Sequence, residues 1–557
     1  MTIVNCKESP VKKMVVLIAS PDVFKTLVLL VSILGVCPLI GPFVDRYLKL
    51  FHVYAAVVLM IDLLGERRIF HNYGRTIFYI FAVCGVITLL DNRNLLNFSG
   101  LSNFCYLMEA LALVYSYGKD SRKHNRWSSA VVCSLIFITN IIGIWMFYTK
   151  FHLNIPGRGY IGMYPSENRL AGLFGNPNVM GMICLVGVCL SLIQLVCSSR
   201  NAGRMVYGVF AAIDIVALLL TNSRTQIYSL ILLVGVVTFM LWIRNRKSVK
   251  GVCLGIVVAV AMLVVSFGCS KLLQLGLAKF DINYSYYEMY IVNGGGKEYE
   301  SAGESDTEPT SVENKESTED VTEQENSFVE EPSTEPVTEE PTVSADEVTV
   351  QQTNSVAELG TEPVPTETME QDDKAAELTE NPGSTIQRDT GFAGMNGRLD
   401  IWMKGVKLFL HKPLTGWGMD NLDYALREIG VDGYFVRGNL HNTYLDVLVD
   451  FGILGFACLM AYLLLMLSRV IAFFRNNKGD TWYMGTILLG CVAAFLLDAV
   501  ADSTLLASVY PTSIGFWMIA SRFAGLMDEE SKDNGIVRQE PIGRLFEAIL
   551  NRLGKKR

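Results

Sequence analysis

Apolar residues fall along this chain in long runs, not at the two-residue period of a half-buried strand or the 3.6-residue period of a surface helix. Twelve runs approach or exceed the roughly 20 residues that cross a bilayer: 26–44, 48–64, 76–91, 101–118, 128–148, 178–198, 204–221, 225–243, 251–270, 443–467, 482–501 and 507–524. They predict an all-α polytopic membrane protein of about 12 transmembrane helices. The two weakest runs are 101–118, which contains Glu109, and 482–501, which contains Asp498. The first run follows Lys12, Lys13 and Lys25, and no small-residue cleavage site comes after it, so it reads as an uncleaved span.

The connecting segments differ in basic charge. Arg67/Arg68/Arg75, Lys119/Arg122/Lys123/Arg126, Arg200/Arg204, Arg244/Arg246/Lys247/Lys250 and Arg469/Arg475/Lys478 fall on one side, together with the terminal Lys555-Lys556-Arg557. The short loops between them are nearly bare of Lys and Arg. By the positive-inside rule both termini are cytoplasmic, and 149–177, 222–224 and 271–442 face outward. The chain then divides into a membrane domain of nine spans (1–270), an extracytoplasmic loop (271–442), a membrane domain of three spans (443–524) and a cytoplasmic tail (525–557).

Composition changes the picture in one region. Hydrophobic residues make up 51% of the 557 and charged residues 18%, below the roughly 25% of soluble domains. Between 296 and 385 there are 26 Asp and Glu against 3 Lys, a local net of −23; set against the whole-chain −8, that leaves +15 on the other 467 residues. The Glu/Thr/Ser/Pro-rich stretch 296–387, with the repeats Thr334-Glu-Pro-Val and Thr361-Glu-Pro-Val, has too little apolar surface to offset chain entropy and reads as a disordered insert. Before it, 271–295 carries Tyr284, Tyr286, Tyr287 and Tyr290 and reads as a short interfacial helix. After it, 388–442 regains Trp, Leu and Gly in a folded pattern. Eleven of the 12 Cys sit in or beside apolar runs without a Cys-x-x-Cys pair, which suits apolar packing and not disulfides. A soluble enzyme, a nucleic-acid binder and a secreted disulfide scaffold are all excluded.

Polar residues gather in four places on the outer side. Asn168-Arg169-Leu-Ala-Gly172-Leu-Phe174-Gly-Asn176-Pro177-Asn178 precedes the sixth span. Asn176 or Asn178 can cap that helix, and Pro177 suits its first turn. Thr221-Asn222-Ser223-Arg224 is a tight turn between two apolar spans, with its Arg on the side that usually lacks one. Arg398 and Trp402 precede a Pro413-Leu-Thr-Gly416-Trp-Gly418 turn. His441-Asn442-Thr443-Tyr444-Leu445-Asp446 opens the tenth span, with Gly452 and Gly455 following. Singly, each also fits a plainer role: a capped helix start, a snorkelling or solvated arginine, a structural histidine.

Taken in order, Arg169…Gly172…Phe174…Asn176-Pro177-Asn178, Ser223-Arg224, Gly397-Arg398…Trp402 with Pro413…Gly416…Gly418, and His441-Asn442…Tyr444-Leu445…Gly452…Gly455 resemble the O-antigen ligase and polymerase superfamily. The resemblance covers about 165–460 and makes the acidic tract an insertion. It implies a GT-C-like membrane glycosyltransferase that uses glycans linked to undecaprenyl diphosphate and needs no metal and no cofactor. It further implies that Arg224 and Arg398 hold the diphosphate, that His441 serves the acceptor and that Arg169 is an auxiliary contact. Asn176, Asn178, Asn442 and Trp402 are further candidates for substrate binding.

That assignment is chemically coherent. Breaking a glycosyl–phosphate bond leaves growing charge on two phosphates, and a guanidinium meets phosphate oxygens bidentately while staying charged. An attacking sugar hydroxyl needs a base, and a neutral imidazole is one. Asp446 is a candidate to orient that imidazole, although its spacing from His441 is not a clean helical turn. No Asp-x-Asp, His-x-x-x-His or phosphate-loop sequence supports a metal-held nucleotide sugar or ATP. The expected partners are therefore the lipid-linked donor, a glycan or lipid-glycan acceptor and the bilayer, with no nucleic acid. The competing class is a transporter of glycans or small solutes, for which Asp214, Glu109 and the Asp498/Asp502 pair are the intramembrane acids to watch. Ligation and polymerisation are not distinguished.

Overall fold

The computed structural model describes residues 20–64, 74–95, 98–117, 121–156, 158–165, 169–245, 288–290, 396–431, 439–506 and 510–533. All of them belong to the unit formed by Met1–Gly296 and Gln387–Arg557. The apolar run 251–270, the insert 296–387 and the tail beyond 533 lie outside the described residues.

The protein is mostly helical. Fourteen α-helices are described: α1 Pro21–Gly35, α2 Gly41–Leu48, α3 Leu50–Leu64, α4 Arg75–Asp91, α5 Phe98–Glu109, α6 Ser121–Tyr148, α7 Pro177–Cys197, α8 Asn201–Leu220, α9 Arg224–Asn245, α10 Asn396–His411, α11 Leu422–Glu428, α12 Thr443–Asn476, α13 Asp480–Ala501 and α14 Pro511–Asp533. Among the described residues six helical segments are long and apolar enough to cross a membrane: Ser129–Tyr148 within α6, Arg224–Arg244 within α9, and α7, α8, α12 and α13. The bent pair α2–α3 makes a seventh if counted as one span. These helices mark a multi-pass membrane protein.

Several boundaries depart from the apolar runs for local reasons. The run 26–44 is not one helix. Ser20 caps α1 by accepting from Val23 N, with Pro21 in the first turn. The helix stops at Gly35 because Pro38 has no N–H to give and crowds the residue before it. The chain restarts at Gly41, where a Cβ would lie 2.5 Å from Gly35 O, and α2 meets α3 at a 51° bend. At the end of α5 the backbone widens into a π-helix, Ala110–Val114, in which Tyr115 N reaches back five residues to Ala110 O at 3.0 Å.

The segment 149–177 holds strands, which the all-α expectation did not include. β1 His152–Ile155, β2 Gly159–Tyr164 and β3 Arg169–Gly172 pair antiparallel in sequence. β4, Glu288–Tyr290, joins β1 in parallel, giving the order β3-β2-β1-β4. An interfacial helix over 271–295 is thus corrected at 288–290, which is strand; the rest of that stretch lies outside the described residues. Tyr160-Ile-Gly-Met-Tyr164 was the signal for β2, since aromatic and branched residues fit a pleated surface.

Helix α12 contains the most informative irregularity. Gly452 sits at φ 64°, ψ −166°, and breaks the 34-residue helix. The Pro413–Gly418 turn fills the break. Trp417 N donates to Val449 O at 2.8 Å, Gly418 N to Asp450 O at 2.9 Å, and Ile453 N to Pro413 O at 2.8 Å. Backbone groups that lose partners at the kink are therefore paired by another segment, as buried amides require. Both glycines are obligatory at this contact. A Cβ on Gly452 would lie 2.2 Å from Leu414 O, and one on Gly416 2.5 Å from Val449 O. Helix α10 is thereby pinned to α12.

Candidate active site

One end of the bundle is where α7, α9 and α12 begin and α8 and α13 finish. A continuous polar network crosses it. Arg169, only 4% exposed, extends from β3 and donates from Nε to Thr221 O at 2.6 Å and from Nη2 to Asn178 Oδ1 at 2.7 Å. Ser223 Oγ donates to the same Asn178 oxygen at 3.2 Å and also meets Gln226 Oε1. Gln226 Nε2 then donates to Asp498 Oδ1 at 2.7 Å. Thr221, Ser223, Gln226 and Asp498 are all buried. Gly181 on α7 lets the strands of this network close, since a Cβ there would stand 3.0 Å from the Ser223 Cβ.

Next to Asp498 lies a candidate base. His441 Nδ1 is 3.1 Å from Asp502 Oδ1, with both side chains partly exposed. A carboxylate only accepts, so Nδ1 is the donor in this pair, and in the neutral tautomer it selects, Nε2 is the acceptor. The backbone at His441 is held at φ 50°, a left-handed conformation uncommon for a side-chain-bearing residue. Thr443 braces the pair: its hydroxyl donates to Asp502 O at 3.1 Å and accepts from Thr504 N at 2.9 Å. Trp517 Nε1 and Ser513 Oγ on α14 both donate to Leu505 O at 2.9 Å, which fixes the turn that carries Asp502. Such support behind a reactive group holds its rotamer against the entropy of an unbraced side chain.

Arg398 joins this group from α10. Trp402, one turn along the same helix face, donates from Nε1 to Leu440 O at 3.1 Å, the residue before His441. Arg398 is half-buried and interacts electrostatically with Asp498. Arg224 stands at the first position of α9, exposed, beside the networked Ser223.

The eight residues singled out in the sequence thus fall at one end of the bundle, in two roles. Arg224 is exposed there, and Arg398 and His441 are half-buried. The other five make hydrogen bonds that brace this end. Asn176 caps α7, accepting from Asn178 N at 2.8 Å. Asn442 caps α12, accepting from Tyr444 N at 3.0 Å and Leu445 N at 3.1 Å. Arg169, Asn178 and Trp402 bind as described. Asp446 Oδ1 accepts from Leu440 N at 2.9 Å, steadying the chain before His441, while the imidazole's hydrogen-bonded carboxylate is Asp502. Ser223 and Thr443 stood inside the sequence clusters without an assigned role, and Asp502 and Gln226 were not assigned to this site from the sequence. The available signal was a pair of acids, Asp498 and Asp502, at the end of an apolar run on the same side as His441.

Of the acids named for a transporter, Asp498 and Asp502 belong to this end of the bundle, whereas Asp214 and Glu109 lie elsewhere. Asp214 is buried at the middle of α8, accepting from Asn140 Nδ2 at 2.7 Å and Ser191 Oγ at 3.3 Å. Glu109 pairs with His52 at 2.7 Å, whose Nε2 meets Ser102 Oγ at 3.0 Å.

Residues 366–460 match the family model described as O-antigen ligase. The match spans 95 of the 557 residues and takes in Arg398, Trp402, the Pro413–Gly418 turn, His441, Asn442 and Gly452. Arg169, Asn176, Asn178, Arg224, Asp498 and Asp502 fall outside it. A comparison with curated proteins gives no match. The resemblance to O-antigen ligases therefore stands on the segment that carries the histidine.

Proposed function

We propose that this O-antigen ligase-like membrane protein is a metal-independent glycosyltransferase of GT-C type. It moves a glycan from undecaprenyl diphosphate to an acceptor hydroxyl at the outer face of the cytoplasmic membrane. The observation that carries the reading is the His441–Asp502 pair, with Arg398 anchored beside it through Trp402 and Arg224 opening α9 at the same end of the bundle. In this topology both termini are cytoplasmic, twelve spans alternate, and 296–387 is a solvated spacer within the outer loop.

The reaction follows from the side chains. The acceptor oxygen bonds to the anomeric carbon as the bond from that carbon to the phosphate oxygen breaks. Undecaprenyl diphosphate leaves with the electron pair. His441 Nε2 takes the hydroxyl proton, and Asp502 stabilises the imidazolium that results, contributing with the base about 10²–10⁴-fold in rate. Arg224 and Arg398 meet the growing phosphate charge with fixed donors near a low-dielectric boundary, where one such donor is worth on the order of 10²–10³-fold. A single displacement inverts the anomeric centre. Arg169, Asn176, Asn178, Asn442 and Trp402 line the substrate-binding cradle and, through their hydrogen bonds within the protein, hold it in place.

Lipid-linked glycans from cells lacking the protein test the reading. Glycans on undecaprenyl diphosphate are expected to accumulate, and the wild-type gene but not His441→Ala is expected to clear them. Accumulated single repeats identify a polymerase and accumulated long chains a ligase. No accumulation on the carrier refutes the donor assignment, and loss of transfer on chelating divalent ions refutes metal independence.

A further inference from the structure

At the end of the bundle opposite the His441 site, a cavity of about 440 Å³ opens between α7, α8, α13 and α14, within the size range of small-molecule sites. Its walls are apolar, formed by Leu195, Val196, Met484, Leu488 and Leu526. Its polar lining has both signs: Arg204 and Arg522 together with Asp480 and Glu529. Arg204 and Asp480 are exposed at the mouth, while Arg522 and Glu529 are half-buried farther in. Arg522 is fixed in place by an Nη2 contact to Cys197 Sγ at 2.7 Å, and Arg204 by Nε donating to Ser198 O at 3.0 Å.

An acyl chain satisfies the apolar walls, and the charges then select the headgroup. A headgroup with a phosphate alone would face two carboxylates as well as two guanidiniums. One that carries a phosphate and a primary ammonium finds an opposite charge for each, with N–H donors for the acids. We infer that this cavity is a binding site for a phospholipid with a phosphate and a primary ammonium in its headgroup, seated from the leaflet opposite the transfer site. The site does not depend on the glycosyltransferase reading.

Native mass spectrometry of the detergent-purified full chain tests the assignment, with phosphatidylethanolamine, phosphatidylglycerol and phosphatidylcholine titrated separately. Phosphatidylcholine keeps both charges but has no ammonium N–H, and phosphatidylglycerol keeps the phosphate alone. The ethanolamine lipid is expected to be retained about fivefold more tightly than either, the scale of one added charge contact at a membrane surface. Asp480→Lys, a change at the exposed mouth, is expected to turn the preference toward phosphatidylglycerol, a gain that misfolding cannot produce. Equal retention of the three lipids by the wild-type protein, or an unchanged order in Asp480→Lys, overturns the proposal.

Discussion

At the far end of the bundle Arg75 is 1% exposed and spreads its guanidinium over the Leu111 and Ala112 carbonyls. Those carbonyls belong to the π-helix that follows α5. Lys25 does the same for Ser116 O, and Arg469 is paired with Asp528. At the site end Arg169 is used in this way too, buried against Thr221 O and Asn178. Arg224 and Arg398 are less buried: Arg224 is exposed at the start of α9, and Arg398 is half-buried and interacts electrostatically with Asp498. Both ends are rich in arginine, and burial separates Arg75 and Arg169, which are engaged by protein carbonyls, from Arg224 and Arg398, which we propose meet the diphosphate. Counting Lys and Arg along the chain finds both ends and cannot tell them apart.

Substitutions sharpen this contrast. His441→Ala at the site end is expected to lower the turnover rate by about 10²–10⁴-fold, measured on membranes with normal protein levels; a loss under tenfold would break the base assignment. Arg398→Lys and Arg224→Lys are each expected to cost about 10²–10³-fold in transfer, because an ammonium cannot reproduce the bidentate fork. Their melting temperatures in detergent should match wild type. Arg75→Ala at the far end is expected to do the reverse, removing about 2–3 kcal/mol of stability through unpaired buried carbonyls, read as a lowered melting temperature. If Arg75→Ala melts normally, or Arg398→Lys unfolds, the division by burial is wrong. Asp502→Asn should give a smaller loss, about 10–100-fold in rate, with substrate affinity little changed. Gln226→Ala, which removes a donor from buried Asp498, is expected to cost about 1–3 kcal/mol in stability.

Much of this was legible in the chain itself. The apolar runs anticipate the spanning helices because a lipid-embedded segment tolerates few charges, and His441 and Arg398 stood out by falling on the sparsely charged side. Other features depended on chain folding back over long distances. Asp502 meets His441 across 61 residues, a pairing no local spacing announces. Gly416 and Gly452 looked like separate turn signals, yet one fills the break made by the other. Pro38 ended α1 inside an apolar run, because hydropathy records the solvent a side chain prefers and not the missing amide. Arg169 looked like a ligand contact in sequence, and only its burial against Thr221 O and Asn178 shows where its donors go.

The most direct test is a structure of the protein with undecaprenyl diphosphate bound. The guanidiniums of Arg224 and Arg398 should both lie within about 3.2 Å of phosphate oxygens, with His441 Nε2 facing the open side of the diphosphate and its Nδ1 still on Asp502. A diphosphate held at the far end of the bundle, or reached by only one of the two arginines, would contradict the site proposed for this chain.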